Sequence, residues 1–248
     1  MNISAIIEAR MSSSRFPGKV MEEFEGKPMI QIMVERLQDS ILLDDVIVAT
    51  TTNTNDDSLC EFLKSNNIKY YRGSEDNVLE RVLDTAKSFD VDVIVEVTGD
   101  CPILDPIIVD QSIGFFFKNH ADYVGNTCIT SSYPRGQDVK VFTTKTLDDV
   151  NYRTDDPDDQ EHVSLFIYNN RDLYKCVPFP PPPFNVDPKT RLTVDYKVDL
   201  DVVKIILNEL GEKCSFKEIN KFLLNNREVL DMNGNLEVTY INDDTRYG

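Results

Sequence analysis

Residues 3–19 read Ile3-Ser4-Ala5-Ile6-Ile7-Glu8-Ala9-Arg10-Met11-Ser12-Ser13-Ser14-Arg15-Phe16-Pro17-Gly18-Lys19. Ile3 to Ala9 is a short apolar run of the kind that forms a buried strand, and it opens into a polar loop holding the turn pair Pro17-Gly18. Arg10, Arg15 and Lys19 give that loop three cations, and Ser12 and Ser13 add hydroxyls. In an open α/β sheet, ligands bind at the carboxyl ends of the strands, where this loop begins. Cations, hydroxyls and loop amides suit phosphoryl oxygens, because phosphoryl chemistry rests on positioning and charge stabilisation. The loop matches neither GxxxxGK[ST] nor GxGxxG, so two common phosphate-binding fingerprints are excluded.

Outward from the loop, apolar runs alternate with amphipathic stretches. Helices are expected over Lys27 to Leu42, Asp56 to Asn66, Glu75 to Phe89 and Pro106 to Lys118, with Asp105 as the cap of the last. Strands are expected over Val46 to Thr50, Ile68 to Tyr71 and Val91 to Thr98. This alternation predicts an α/β fold with a mainly parallel sheet flanked by helices. After Tyr123 the pattern loosens into an elaboration over about residues 124–190 of one domain spanning 1–248. Asp138 to Phe142 and Arg191 to Val194 read as strands, and Gln160 to Asn170, Asp199 to Leu210 and Phe216 to Asn225 as helices, with Ser215 capping the last. The prolines of 178–184 require an extended crossover. The acidic run 155–159 reads as a solvated turn or a helix start.

The formal net charge of −17 over 248 residues argues against nucleic acid as a partner. No apolar run approaches the roughly 20 residues of a membrane helix, so no membrane is expected and a cytoplasmic location is. Cys60, Cys101, Cys128, Cys176 and Cys214 are scattered without a CxxC pair, which predicts free thiols instead of a disulfide or zinc framework. Two carboxylates, Asp100 in Thr98-Gly99-Asp100-Cys101-Pro102 and Asp195 in Leu192-Thr193-Val194-Asp195, each follow a short apolar run. If the fold brings them together they can share a divalent ion that bridges phosphate oxygens. Asp90-Val91-Asp92 has the spelling of a glycosyltransferase metal motif, but it begins a strand, away from the ligand-binding end.

Taken together, these segments resemble the cytidylyltransferases that activate 3-deoxy-manno-octulosonate and acylneuraminates, and more closely the spore coat polysaccharide biosynthesis protein F branch. The likeness runs from the loop through Val48-Ala49-Thr50-Thr51, Asn55-Asp56-Asp57, Arg72 to Arg81, Thr98 to Pro102, Tyr133-Pro134-Arg135-Gly136, Glu161-His162-Val163 and Arg191 to Asp195. It implies a nucleotide-diphospho-sugar transferase fold and transfer of CMP from CTP to an acidic sugar or related small acceptor, in surface polysaccharide or glycoconjugate biosynthesis. It implies CTP on Ala9, Arg10, Ser12, Ser13, Arg15 and Lys19, with Thr50, Asp76, Asn77 and Arg81 near base and ribose. Arg15, Lys19 and Asp100 become the catalytic residues, Asp100 and Asp195 the ligands of Mg²⁺, and Tyr133, Arg135, Lys140 and His162 the acceptor side. A homodimer is a further expectation. The branch has glutamate in place of Lys140 and arginine in place of Gln160, which points to an altered acceptor. The alternative is a nucleotide-binding regulatory or scaffold protein of the same fold that has lost turnover.

Overall fold

The computed structural model describes residues 1–126 and 133–236; Cys128 lies outside them. Strand β1 (Ile3–Glu8) is followed by the loop, a small hairpin of β2 (Glu23–Phe24) and β3 (Lys27–Pro28), and helix α1 (Met29–Leu37). Then come β4 (Asp45–Thr51), α2 (Asp57–Ser65), β5 (Lys69–Gly73), α3 (Val78–Ser88), β6 (Val93–Thr98), α4 (Pro106–Asn119) and β7 (Tyr123–Gly125). The chain continues through β8 (Lys140–Thr143), α5 (Thr144–Arg153), α6 (Pro157–Glu161), α7 (Leu165–Asn169) and β9 (Cys176–Pro178). It closes with α8 (Lys197–Leu210), α9 (Phe216–Asn225) and α10 (Arg227–Asn233).

Seven strands form one sheet in the order β5-β4-β1-β6-β8-β7-β9. The pairs β5/β4, β4/β1, β1/β6 and β7/β9 are parallel, and β8 runs antiparallel to both of its neighbours. Strand alternation sends Ala5 and Ile7 to one face and Ile6 to the other. The first face packs on α1, α2, α4, α8 and α9, and the second on α3, α5 and α7. Each fully buried Val, Leu or Ile contributes roughly 1.5–3 kcal/mol, so this two-sided core dominates the stability.

The ends of the central strands are tied where their loops begin. Gly99 N donates to Glu8 O at 2.8 Å and Ala9 N donates to Ala49 O at 3.2 Å. The mainly parallel sheet agrees with the expectation, and so does Asp105 as the cap of α4. Ser215 and Glu218 form a capping box at α9, and Asp156 caps α6, so the acidic run is a helix start.

Several expected elements differ. The helix predicted over Lys27 to Leu42 is confined to Met29–Leu37. Its first residues pair in the hairpin, and the Asp110 carboxylate captures the amides of Ile41 and Leu42 at 3.1 Å, ending the helix in a turn. The helix predicted from Glu75 starts at Val78, because the Asn77 side chain caps it by accepting from Glu80 N at 2.9 Å. Gln160 to Asn170 is two short helices broken at Val163, whose φ of 47° turns a corner that buries it in the second face.

The strand expected over Arg191 to Val194 is absent, and this correction matters most. That segment lies outside the sheet, held between two loops: Leu192 N donates to Arg135 O at 2.8 Å, and Val194 N to Asp100 O at 2.7 Å. Its apolar side chains are buried by that docking instead of by a ladder.

Gly136 makes the docking possible. Its φ is +95°, and a Cβ there would sit 2.3 Å from the Leu192 carbonyl carbon and 2.5 Å from Thr193 N. We expect Gly136→Ala to lower the unfolding free energy by about 3 kcal/mol or more, from backbone strain plus overpacking. Urea denaturation checks this, and a loss under about 1 kcal/mol would mean that the contact is slack.

Candidate active site

The loop 9–19, the turn 98–102 and the segment 191–195 meet at one end of the sheet. Lys19 Nζ donates to Asp100 Oδ2 at 2.9 Å and to Asp195 Oδ1 at 3.1 Å. Arg15 Nη2 donates to the same Asp195 oxygen at 2.9 Å, and its guanidinium lies 5.6 Å from the centre of the Tyr196 ring. Asp195 Oδ2 is taken by Arg191 Nη2 at 2.7 Å. The Thr98 hydroxyl holds Asp100 Oδ1 at 2.6 Å.

Burial disfavours the charged form of both members of the Lys19–Asp195 pair, yet charge wins. Burial pulls the Lys19 ammonium down, but Asp100 and Asp195 outweigh it and hold the group above its ordinary value. Burial likewise pushes Asp195 up, while Lys19, Arg15 and Arg191 bring it below the usual carboxylate range. Asp195 is therefore ionised at neutral pH.

Two carboxylates gripping one ammonium from different sides are close enough to share a single cation. Mg²⁺ is held in many sites by one or two carboxylates plus substrate phosphates, and this oxygen set fits that chemistry. Among the described residues there is no group of three or more His, Cys, Asp or Glu arranged for a metal, so phosphate oxygens would have to complete the shell.

The opposite end of the loop is organised by Asp56, a residue quoted in the family pattern but not read as part of the site. Its buried carboxylate accepts from Met11 N at 2.7 Å, from the Thr50 hydroxyl at 3.0 Å and from Thr51 N at 3.1 Å. Glu75 accepts from the Ser12 hydroxyl at 3.1 Å and from Asn53 Nδ2 at 2.7 Å. Ala9 is buried, and Ser13 turns its hydroxyl inward to accept from Phe16 N at 3.4 Å. Arg10 is half-exposed and acts on Glu75 and Arg81 through its charge. Arg81 donates to the Ser74 carbonyl, Asn77 caps α3, and Asp76 is exposed.

The residues assigned to the acceptor side are less uniform. Tyr133 is buried against Phe179 and Phe216, and burial pushes its phenol up to about 12. Arg135 is half-exposed and contributes its carbonyl to Leu192. Desolvation lowers His162, so it is neutral at pH 7. Lys140 forms an ion pair with Glu96, its partner across β6 and β8. Its charge is thus answered within the sheet, whatever it offers a ligand.

Beside that pair stands Glu8, which sequence reading placed in the strand and gave no role. Among the described residues, its Oε1 is out of reach of solvent and has no hydrogen-bond partner, and the same holds for Glu96 Oε2. Burial first, and then the neighbouring Glu96, push the Glu8 carboxyl up to about 8, so it carries a proton at neutral pH. An alternating apolar strand ending in one carboxylate gave no signal of this, because the second carboxylate lies far along the chain.

The family described as cytidylyltransferase matches residues 4–232. The chain is 32% identical to spore coat polysaccharide biosynthesis protein SpsF of Bacillus subtilis, over 91% of this chain and 95% of the relative. It is 27% identical to the 3-deoxy-manno-octulosonate cytidylyltransferase of Geobacter metallireducens, over 76% of this chain and 83% of that one. A solved cytidylyltransferase from Leptospira borgpetersenii superposes with a TM-score of 0.87 at 30% identity, covering 97% of this chain and all of the other.

The Glu8 carboxyl sets a pH signature. Its folded value lies above that of the unfolded chain, so its contribution is complete below about pH 4.5 and is lost as pH rises through about 8. We expect Glu8→Gln to abolish that part of the alkaline decline, becoming more stable relative to wild type at pH 9 than at pH 5. Urea unfolding at pH 5, 7 and 9 checks this; a pH-independent difference would show that Glu8 is ionised throughout.

Proposed function

The chain belongs to the cytidylyltransferase family, and from that premise we propose that it transfers CMP from CTP to a small acidic or phosphorylated acceptor, such as an acidic sugar. The observation that carries the reading is the Lys19 ammonium gripped by Asp100 and Asp195, with Arg15 on the same carboxylate, beside the phosphate-suited loop. The spore coat relative is in keeping with a place in surface polysaccharide or glycoconjugate biosynthesis. No helix among the described residues is long and apolar enough to cross a membrane, which suits a reaction between small molecules in the cytoplasm.

On this reading the acceptor oxygen attacks the α-phosphorus of CTP and pyrophosphate leaves. Lys19 and Arg15 neutralise the carboxylates in the free protein and move to the triphosphate when it arrives, where they offset charge growing on the leaving group. Asp100 and Asp195, relieved of those cations, would hold Mg²⁺, which supplies Lewis-acid polarisation of phosphate oxygens. The Glu75, Asn53 and Ser12 cluster would face the nucleoside end. Ser12 and Ser13 shape the loop around the phosphates. His162, neutral at pH 7, is available on the acceptor side to accept a proton.

Purified protein with CTP and Mg²⁺ is expected to release pyrophosphate with at least one member of a panel of ulosonic acids, sugar phosphates and alkyl phosphates. Silence across the whole panel would sink the proposal. With the productive acceptor, Asp100→Asn, Asp195→Asn and Lys19→Met should each lower kcat/KM by about 100-fold or more. A loss under tenfold for either aspartate variant would remove that residue from the reaction centre.

A further inference from the structure

We infer that Arg191, Asp199 and Asn233 form a positioning relay that aims one oxygen of Asp195 at the triphosphate site, making the C-terminal helix α10 a working part of that site. The inference rests on the proposed role of Asp195; it gives Arg191, already seen on Asp195, a positioning role and adds Asp199 and Asn233 to the site.

Asp195 needs such support because no strand fixes it; the segment leading to it lies outside the sheet. Asp199, in the first turn of α8, holds it twice. Asp199 Oδ2 accepts from the backbone N of Asp195 at 2.9 Å and from Tyr196 N at 2.9 Å. Asp199 Oδ1 accepts from Arg191 Nε at 2.9 Å, and Arg191 Nη2 in turn holds Asp195 Oδ2 at 2.7 Å. One carboxylate thus fixes both the main chain and, through a planar guanidinium, the side chain of Asp195.

Asn233, at the end of α10, anchors the whole assembly. Its Nδ2 donates to Asp199 Oδ1 at 2.8 Å and to the Arg191 carbonyl at 3.2 Å. Asp199 is 0% exposed, Asn233 2%, Asp195 5% and Arg191 6%, so water does not compete for these bonds. The consequence is a division between the two oxygens of Asp195. Oδ2 is committed to Arg191, which is itself locked by Asp199. Oδ1 faces Lys19 and Arg15, the cations that can leave for a triphosphate. Among the described residues, Arg191 Nη1 is buried with no hydrogen-bond partner, so the guanidinium is oriented to span two carboxylates instead of satisfying all of its donors.

A purely structural tie between α8 and α10 would lower stability and leave the site of folded molecules unchanged. The two roles separate in Mn²⁺ binding to the full-length protein saturated with a non-hydrolysable CTP analogue, followed by electron paramagnetic resonance of the free ion. Asn233→Ala is expected to weaken Mn²⁺ binding about tenfold, as loss of outer support does at metal sites. Its affinity for the analogue without metal should stay within twofold of wild type. Arg191→Lys, which keeps the charge but cannot span Asp195 and Asp199, should weaken Mn²⁺ similarly and serves if Asn233→Ala does not fold. Variants that are folded by circular dichroism and bind Mn²⁺ within twofold of wild type would overturn the relay alone. Absence of Mn²⁺ uptake by the wild-type complex would overturn the metal assignment to Asp195 and the relay with it.

Discussion

The molecule depends on one electrostatic constraint: a half-buried lysine is held between two carboxylates, one half-buried and one buried. Lys19, Asp100 and Asp195 come from three separate stretches, and none is stable alone in that setting. Removing the cations would leave the buried Asp195 carboxylate with less compensation, which is unfavourable. The parallel sheet supplies the first two by ending β1 and β6 side by side, tied by the Gly99–Glu8 bond. The third arrives on a segment docked against the turns of Asp100 and Arg135. The proposed function and the tertiary structure therefore share the same contacts.

How much of this was legible depended on the range of the interaction. The opening strand, the loop, the caps at Asp105 and Ser215 and the alternation of strand and helix are local signals, and the structure has them. The convergence of Asp100 and Asp195 was readable only as a condition, since no local pattern brings two aspartates together. It holds, although the segment before Asp195 is not the strand that its apolar alternation suggests. A run of Leu, Thr and Val looks the same whether its amides meet a neighbouring strand or two turns. The short pieces β7, β9, α5 and α10 had too few residues, or too weak a periodicity, to be read ahead of the structure.

Charge exchange across the sheet tells a similar story. Lys140, where the family resemblance leads one to expect glutamate, looks in isolation like a change of ligand preference. In the fold its ammonium meets Glu96 on the facing strand, with the protonated Glu8 alongside. The Lys140 charge is thus balanced locally, by Glu96. Asp56 and Asp199 make the same point: each is an acidic residue in a helical stretch, and each proves to be a buried hub for backbone amides. Sequence shows a carboxylate; only the fold shows which amides lack another partner.

The separation of 176 positions between Lys19 and Asp195 also bears on how the protein is born. A ribosome emits the cationic loop and the central strands long before it emits Asp195, and Asn233 follows later still. During most of translation the nascent polypeptide has a cationic loop but no assembled pair of acids opposite it. The candidate site is completed late, with helices α8 to α10, so a prematurely terminated product lacks the parts that close it around Lys19.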